Sequence, residues 1–140
     1  MRIVVYRHGE QPYTDDAHSV RDEVFIVEQE VDRSEEFEFE EESIHYLLYE
    51  DDLPLATGRW RKTDKGIKLE RFAVIKSHRN KGLGGAVLKR ILEDLRGREE
   101  QLYLHAQLPA IPFYERYGFR VEGDEFIEAD IRHYRMTRMA

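Results

Sequence analysis

No cysteine occurs among the 140 residues, which excludes a disulfide framework, a thiolate nucleophile, a cysteine zinc site and any acyl-enzyme route through sulfur. No apolar run approaches the roughly 18 residues that a membrane span requires. The N-terminal Ile3-Val4-Val5 stretch lacks the length and the small-residue cleavage site of a secretory signal. A cytoplasmic chain with no membrane partner is expected. Positive charge is also short: 22 lysines and arginines stand against 29 aspartates and glutamates, for a net charge of -7. Without a broad basic surface, no nucleic acid partner is expected. The histidines show neither H-x-x-x-H nor H-E-x-x-H spacing, so no metal is expected either. Repeats and linkers are absent, and the length suits a single domain over residues 1–140.

What is present reads as alternating strands and helices. Residues 1–7 read as a first strand, and Val20, Val24, Val27 and Val31 recur at helical spacing behind Asp15 or Asp16, either of which can cap the helix start. Glu30 to Glu42 is strongly acidic and reads as a solvated loop or loose helix, or alternatively as a patch attracting a cationic acceptor. Ser43 to Glu50, Leu55 to Lys62 and Ile67 to Ile75 read as three strands of an antiparallel meander, separated by turn residues. Leu83 to Leu95 is an amphipathic helix with Leu83, Val87, Leu88, Ile91, Leu92 and Leu95 on one face. A strand alternating Leu102, Leu104 and Ala106 with Tyr103, His105 and Gln107 follows, then a short helix, then strand, turn and strand from Phe119. The order predicts an α/β fold of the mixed α+β kind, a mostly antiparallel central sheet flanked by helices.

Between the third strand of the meander and the amphipathic helix stands Arg79-Asn80-Lys81-Gly82-Leu83-Gly84, followed by Gly85. Glycines let the backbone approach an anion closely, and the free NH groups of a helix start carry partial positive charge. From Arg71 to Leu92 the segment has six lysines and arginines and no carboxylate, so one face is reversed in sign relative to the whole chain. G-x-x-x-x-G-K-[ST] occurs nowhere, and a G-x-G-x-x-G fingerprint fails at Val87. What fits is R-x-x-G-x-G; the alternative is a strand-to-helix turn that holds no ligand. Downstream, Phe113-Tyr114-Glu115-Arg116-Tyr117-Gly118-Phe119 reads as a short helix opened by Pro112 and stopped at Gly118, with Phe113 and Tyr117 on one face.

These two segments, in this order, resemble the GNAT-type N-acetyltransferases, in which an R-x-x-G-x-G loop joins a central strand to a helix and an F-Y-x-x-x-G-F helix end follows. Val24-Phe25-Ile26-Val27-Glu28-Gln29, Glu70-Arg71-Phe72-Ala73-Val74, Leu104-His105-Ala106-Gln107 and Ile131-Arg132-His133-Tyr134-Arg135-Met136 are similar to landmarks of a bacterial subgroup, the YjcF-like or ElaA-like acetyltransferases. The resemblance implies a GNAT fold and acetyl-CoA as co-substrate. It assigns the diphosphate to the backbone of Arg79, Asn80, Lys81, Gly82, Leu83, Gly84 and Gly85, and the pantetheine arm to the backbone of Phe72, Ala73 and Val74. It also implies that Tyr114 gives its phenolic proton to the departing thiolate.

An attacking alkyl amine, with a pKa of roughly 10, must lose a proton at neutral pH. Glu28, Glu70 and His105 are the candidate bases, ahead of His45 and His133. Each has a structural alternative: His105 as a hydrogen-bonded strand residue, Glu28 on a helix surface, Glu70 paired with an arginine across strands. The expected acceptor is a small-molecule or peptide amine, and exposed C-terminal strand edges could support a homodimer. The rival functions are a non-catalytic acyl-CoA-binding sensor and an interaction domain that holds a basic partner on the acidic segment.

Overall fold

The computed structural model describes residues 1–32 and 37–140. Arg2–Arg7 forms β1, and Tyr13–Arg21 forms α1, which runs on as a π-helical segment, Asp22–Glu28. Ile44–Glu50, Leu53–Thr63 and Gly66–Val74 form β2, β3 and β4; Leu83–Asp94 forms α2. Gln101–Gln107 is β5, Ile111–Glu115 is α3, and Arg120–Val121, Phe126–Glu128 and Ile131–Met139 are β6, β7 and β8. Among the described residues no helix is long and apolar enough to cross a membrane.

The strands form one sheet in the order β1-β2-β3-β4-β5-β8-β6, with β7 also paired to β8. Alternation along β2 to β5 sends Tyr46, Leu48, Ala56, Ile67, Leu69, Leu102 and Leu104 to one face, where α2 lays Leu83, Val87, Leu88 and Ile91 against them. Val87, Leu88 and Ile91 are fully buried, each contributing roughly 1.5–3 kcal/mol by leaving water. The other face, under α1, packs Leu47 and Tyr49 against Ala17 and also holds the buried His45, Arg59 and Glu70, so this sheet is apolar beneath α2 and mixed apolar and charged beneath α1.

The structure corrects three expectations about the helices and strands. Asp15 and Asp16 do not cap α1, which starts at Tyr13 after Pro12; both lie in its first turn, where the helix dipole favours a carboxylate, and Asp16 Oδ2 accepts a 2.5 Å hydrogen bond from the Tyr49 hydroxyl. The valine stripe does not stay on one face. The wider winding after Arg21, marked by the bond from Gln29 N to Val24 O, buries Val24 and Phe25 and leaves Val27 69 % exposed. The C-terminal region has three strands, not two: a two-residue turn, Ala129 and Asp130 with φ of 51° and 60°, joins β7 to β8 as a type I′ hairpin.

The acidic segment departs furthest from its expected solvated form. Residues 33–36, including Glu35 and Glu36, lie outside the described residues. Glu40, however, is buried, with Oε1 2.7 Å from Arg21 Nη1 and Oε2 3.2 Å from Arg59 Nη1. Burial alone raises a carboxyl pKa, but the His18 hydrogen bond and the Arg21, His45 and Arg59 charges overcome it and hold Glu40 at about 2. A loop of like charges is thus anchored by one carboxylate that two arginines draw inward.

Candidate active site

β4 and β5, the only parallel neighbours described, pair at Ile67 with Leu102 and Lys68 with Tyr103 and then separate. A bulge in β4 accompanies the separation. Thr57 pairs with Ala73 and Arg59 with Glu70, so β4 carries one extra residue, and Arg71 takes a φ of 61° while its carbonyl accepts from Thr57 Oγ1 at 2.9 Å. The gap is a cleft of about 590 Å³, walled by residues 69–74 of β4, by Leu104, His105 and Gln107 of β5, and by the start of α2.

The chain reaches α2 through a left-handed pair, Asn80 at φ 65° and Gly82 at φ 79°. No side chain caps the helix; its first backbone bond runs from Ala86 N to Gly82 O at 3.0 Å. The NH groups of Leu83, Gly84 and Gly85 precede that bond and have no helical acceptor, and all three residues line the cleft. A Cβ on Gly84 would meet Val74 Cγ2 at 3.4 Å beside the cleft, and one on Gly85 would stand 2.5 Å from the Tyr117 hydroxyl. Arg79 and Asn80 also line the cleft, whereas Lys81 is exposed and does not. The Arg79 guanidinium is engaged elsewhere: Nε donates to Val74 O at 3.0 Å, and Nη1 and Nη2 each donate to Glu28 at 2.7 Å.

Tyr114, on α3, is 8 % exposed and lines the cleft. Its ring meets Phe72, Phe113 and Phe119 edge to face. Burial pushes its phenol pKa above the usual tyrosine value, and no hydrogen bond to the hydroxyl is made among the described residues.

The base candidates part company. His105 lines the cleft with Nδ1 3.0 Å from Glu128 Oε2, and that hydrogen bond holds the Glu128 carboxyl below its ordinary pKa. An ionised carboxylate only accepts, so Nδ1 carries a proton, and in the neutral imidazole Nε2 is then the acceptor. Glu70 also lines the cleft, but it is paired with arginine across strands: Arg59 grips it through Nε at 2.7 Å and through Nη2, and Arg61 and Lys68 stand 3.2 and 3.4 Å away. Burial works against its charge, yet these cations and Arg71 drive its pKa far below the carboxylate range. Glu28 does not line the cleft, and its hydrogen bonds to Arg79 lower its pKa. His45 is buried against Glu40, with a pKa that burial pushes down to about 4. His133 lines the cleft, its Nδ1 bonded to Ile131 O at 2.7 Å.

A second cavity of about 270 Å³ adjoins the first, and the two share Gln29, Gln107, Lys68 and Glu128 among their lining residues. Gln29 and Gln107 exchange amide hydrogen bonds at 3.2 and 3.0 Å across the boundary. None of Gln29, Gln107, Arg61, Lys68 and Glu128 is a site candidate on sequence alone. The alternation of Arg59 and Arg61 opposite Lys68 and Glu70 is the one signal that could have marked the charged pair of strands.

Residues 10–139 match the acetyltransferase (GNAT) domain family. Over 141 aligned residues, 99 % of each chain, the sequence is 41 % identical to the uncharacterized N-acetyltransferase YjcF of Bacillus subtilis strain 168. An acyl-CoA N-acyltransferase from Pseudomonas aeruginosa superposes with a TM-score of 0.86 at 25 % identity, covering 98 % of both chains. Escherichia coli ElaA superposes with a TM-score of 0.87 at 24 % identity, covering 99 % of both. The family match and the relative aligned along 99 % of each chain agree: the chain belongs to the GNAT acetyltransferase family.

Proposed function

We propose that this acetyltransferase moves the acetyl group of acetyl-CoA to a primary amine by direct attack, with donor and acceptor held together in one cleft. The observation that carries the reading is the opening of β4 from β5 beside an α2 N-terminus that no side chain caps. Free NH groups at a helix start suit a diphosphate, and an unpaired strand edge suits an extended amide-bearing arm. Acetyl-CoA supplies a thioester: the amine nitrogen bonds to the carbonyl carbon as the carbon–sulfur bond breaks, the amine loses one proton and the thiolate gains one.

The chain's residues divide that work. Leu83, Gly84 and Gly85 offer amides to the diphosphate, and the backbone of Phe72, Ala73 and Val74 lies along the pantetheine arm. Tyr114, kept protonated by burial, donates to the thiolate. His105 takes the amine's proton at Nε2, with Glu128 fixing the tautomer. Glu70 and Glu28 serve structure, since a carboxylate clamped by cations is a weak base.

Thiol release from acetyl-CoA across a panel of primary amines tests the reading. Amine-dependent release is expected. Coenzyme A bound without release on any amine would favour the non-catalytic binder.

A further inference from the structure

His133 is buried, at 6 % exposure, yet it lines both the acetyl-CoA cleft and the second cavity, whereas His105 lines the cleft and not the second cavity. Its Nδ1 lies 2.7 Å from the Ile131 carbonyl oxygen. A carbonyl oxygen only accepts, so Nδ1 carries a proton, and in the neutral imidazole Nε2 is then an acceptor. Among the described residues Nε2 makes no hydrogen bond, and it is not shut away from solvent. It therefore opens on the space that the residue lines.

The sheet brings this imidazole beside the first. β5 and β8 run antiparallel with Gln107 opposite His133 and His105 opposite Arg135, so His105 and His133 are diagonal neighbours on one face. Such positions stand roughly 7–8 Å apart, within reach of one group bound between them. The Phe126 ring braces both, edge to face with His105 at 4.9 Å and stacked on His133 at 5.7 Å. Each is oriented through Nδ1, His105 by the Glu128 carboxylate and His133 by a backbone carbonyl. The backing separates their roles: a carboxylate steadies the imidazolium of a working base, whereas a neutral carbonyl fixes a tautomer and leaves Nε2 to accept. Among the described residues the charged lining of the second cavity is balanced, with Arg61, Lys68 and Arg71 against Glu38, Glu70 and Glu128. Hydrogen bonds, not net charge, are left to choose among acceptors at this boundary.

Resting on the acetyl-transfer reading, we infer that His133 contacts the acceptor and holds, through Nε2, the one N–H bond of the amine that survives the reaction. A neutral primary amine attacks with its lone pair and has two N–H bonds. One proton passes to His105 Nε2 as the nitrogen–carbon bond forms and the carbon–sulfur bond breaks, and Tyr114 protonates the departing thiolate. The other N–H remains in the amide product; His133 accepts from it and so aims the lone pair at the thioester carbon. A secondary amine has a single N–H, which goes to His105 and leaves His133 unmet. The two imidazoles together select primary amines.

Two substitutions divide the histidine's functions. His133→Asn keeps an amide NH2 near the Nδ1 position, able to donate to the Ile131 carbonyl, and has nothing at Nε2; His133→Gln carries an accepting amide oxygen to the Nε2 position and gives up the bond to Ile131. Thiol release from acetyl-CoA is measured with propylamine and phenethylamine, each beside its N-methyl derivative. In the unaltered chain the primary amine is expected to lead its derivative by about tenfold or more in kcat/KM. His133→Asn should lower kcat/KM about tenfold for the primary amines and leave the N-methyl derivatives within about threefold, whereas His133→Gln should stay within about threefold throughout. Undiminished coenzyme A affinity shows each variant folded; if one does not fold, the other and the lead in the unaltered chain decide. Activity kept in His133→Asn and lost in His133→Gln would make His133 a brace of the β7–β8 hairpin and overturn the inference. So would equal rates for primary and N-methyl amines, or an equal loss on both kinds in His133→Asn. Coenzyme A bound with no thiol release from any of the four amines overturns the acetyl-transfer reading, and the inference falls with it.

Discussion

Arg79 and Glu28, 51 residues apart, form a two-pronged ion pair at 2.7 Å on each prong, while Arg79 Nε holds the Val74 carbonyl. The first residue of the R-x-x-G-x-G motif therefore ties the α2 loop to the end of β4 and to the π-helical segment. Arg79→Lys keeps the charge and loses the fork. We predict a several-fold loss of coenzyme A affinity in this variant and a stability loss within about 1 kcal/mol, since both side chains are a third exposed. Calorimetry and urea unfolding measure the two; full affinity in the lysine variant would mean that positive charge, not the tether, is what Arg79 supplies.

Tyr114→Phe removes one oxygen from a buried aromatic cluster and nothing from the loop. Turnover should fall by about 10² to 10⁴-fold, as for other acid-base groups, with coenzyme A affinity nearly unchanged. Steady-state kinetics beside calorimetry checks this. Unchanged turnover would remove the phenol from the reaction.

Gly85 is closed to a side chain by Tyr117, whose hydroxyl would lie 2.5 Å from an added Cβ and whose ring carbon Cζ would lie 3.6 Å away. Gly85→Ala should cost about 1–3 kcal/mol through overpacking. Tyr117→Phe leaves only the ordinary contact, so the double variant should recover most of that loss. Urea midpoints of the four proteins decide it; simple additivity would place the strain elsewhere.

Stability should decline steadily on acidification. His45 has a folded pKa of about 4 against 6.5 unfolded, so the unfolded chain takes up its proton first and stability falls between those values. Glu40 and Glu70 have folded pKa values below the ordinary 4.5, so their contribution is present above 4.5 and is lost as pH falls toward about 2. Urea midpoints from pH 8 to 3 should show both stages, and His45→Gln should flatten the one between 6.5 and 4. A midpoint independent of pH over that range contradicts the buried placement of these groups.

Much of this was legible in the chain because local chemistry agreed with the fold. The α2 stripe from Leu83 and the short helix behind Pro112 are read from periodicity and end signals alone, and of the turns read at 51–54 and 63–66, Asp51-Asp52 and Asp64-Lys65 are turns while Leu53, Pro54, Thr63 and Gly66 belong to β3 and β4. Where tertiary contacts overrode local preference, the reading failed. Val27 faces out because the helix widens after Arg21, and Ala129-Asp130 makes a hairpin turn without the usual asparagine or glycine. Glu40 is internal because Arg21 and Arg59 arrive from two other elements. In the site, the glycine loop and Tyr114 carried motif signals, whereas Arg61, Lys68 and Glu128 become neighbours only once β3, β4 and β7 are in register.

The most direct test titrates coenzyme A, and separately pantetheine, which lacks the diphosphate, into the full chain by calorimetry. The uncapped amides of Leu83, Gly84 and Gly85 predict saturable one-to-one uptake of coenzyme A, with pantetheine at least about tenfold weaker. No saturable heat from folded protein, or equal affinity for the two ligands, would contradict the account.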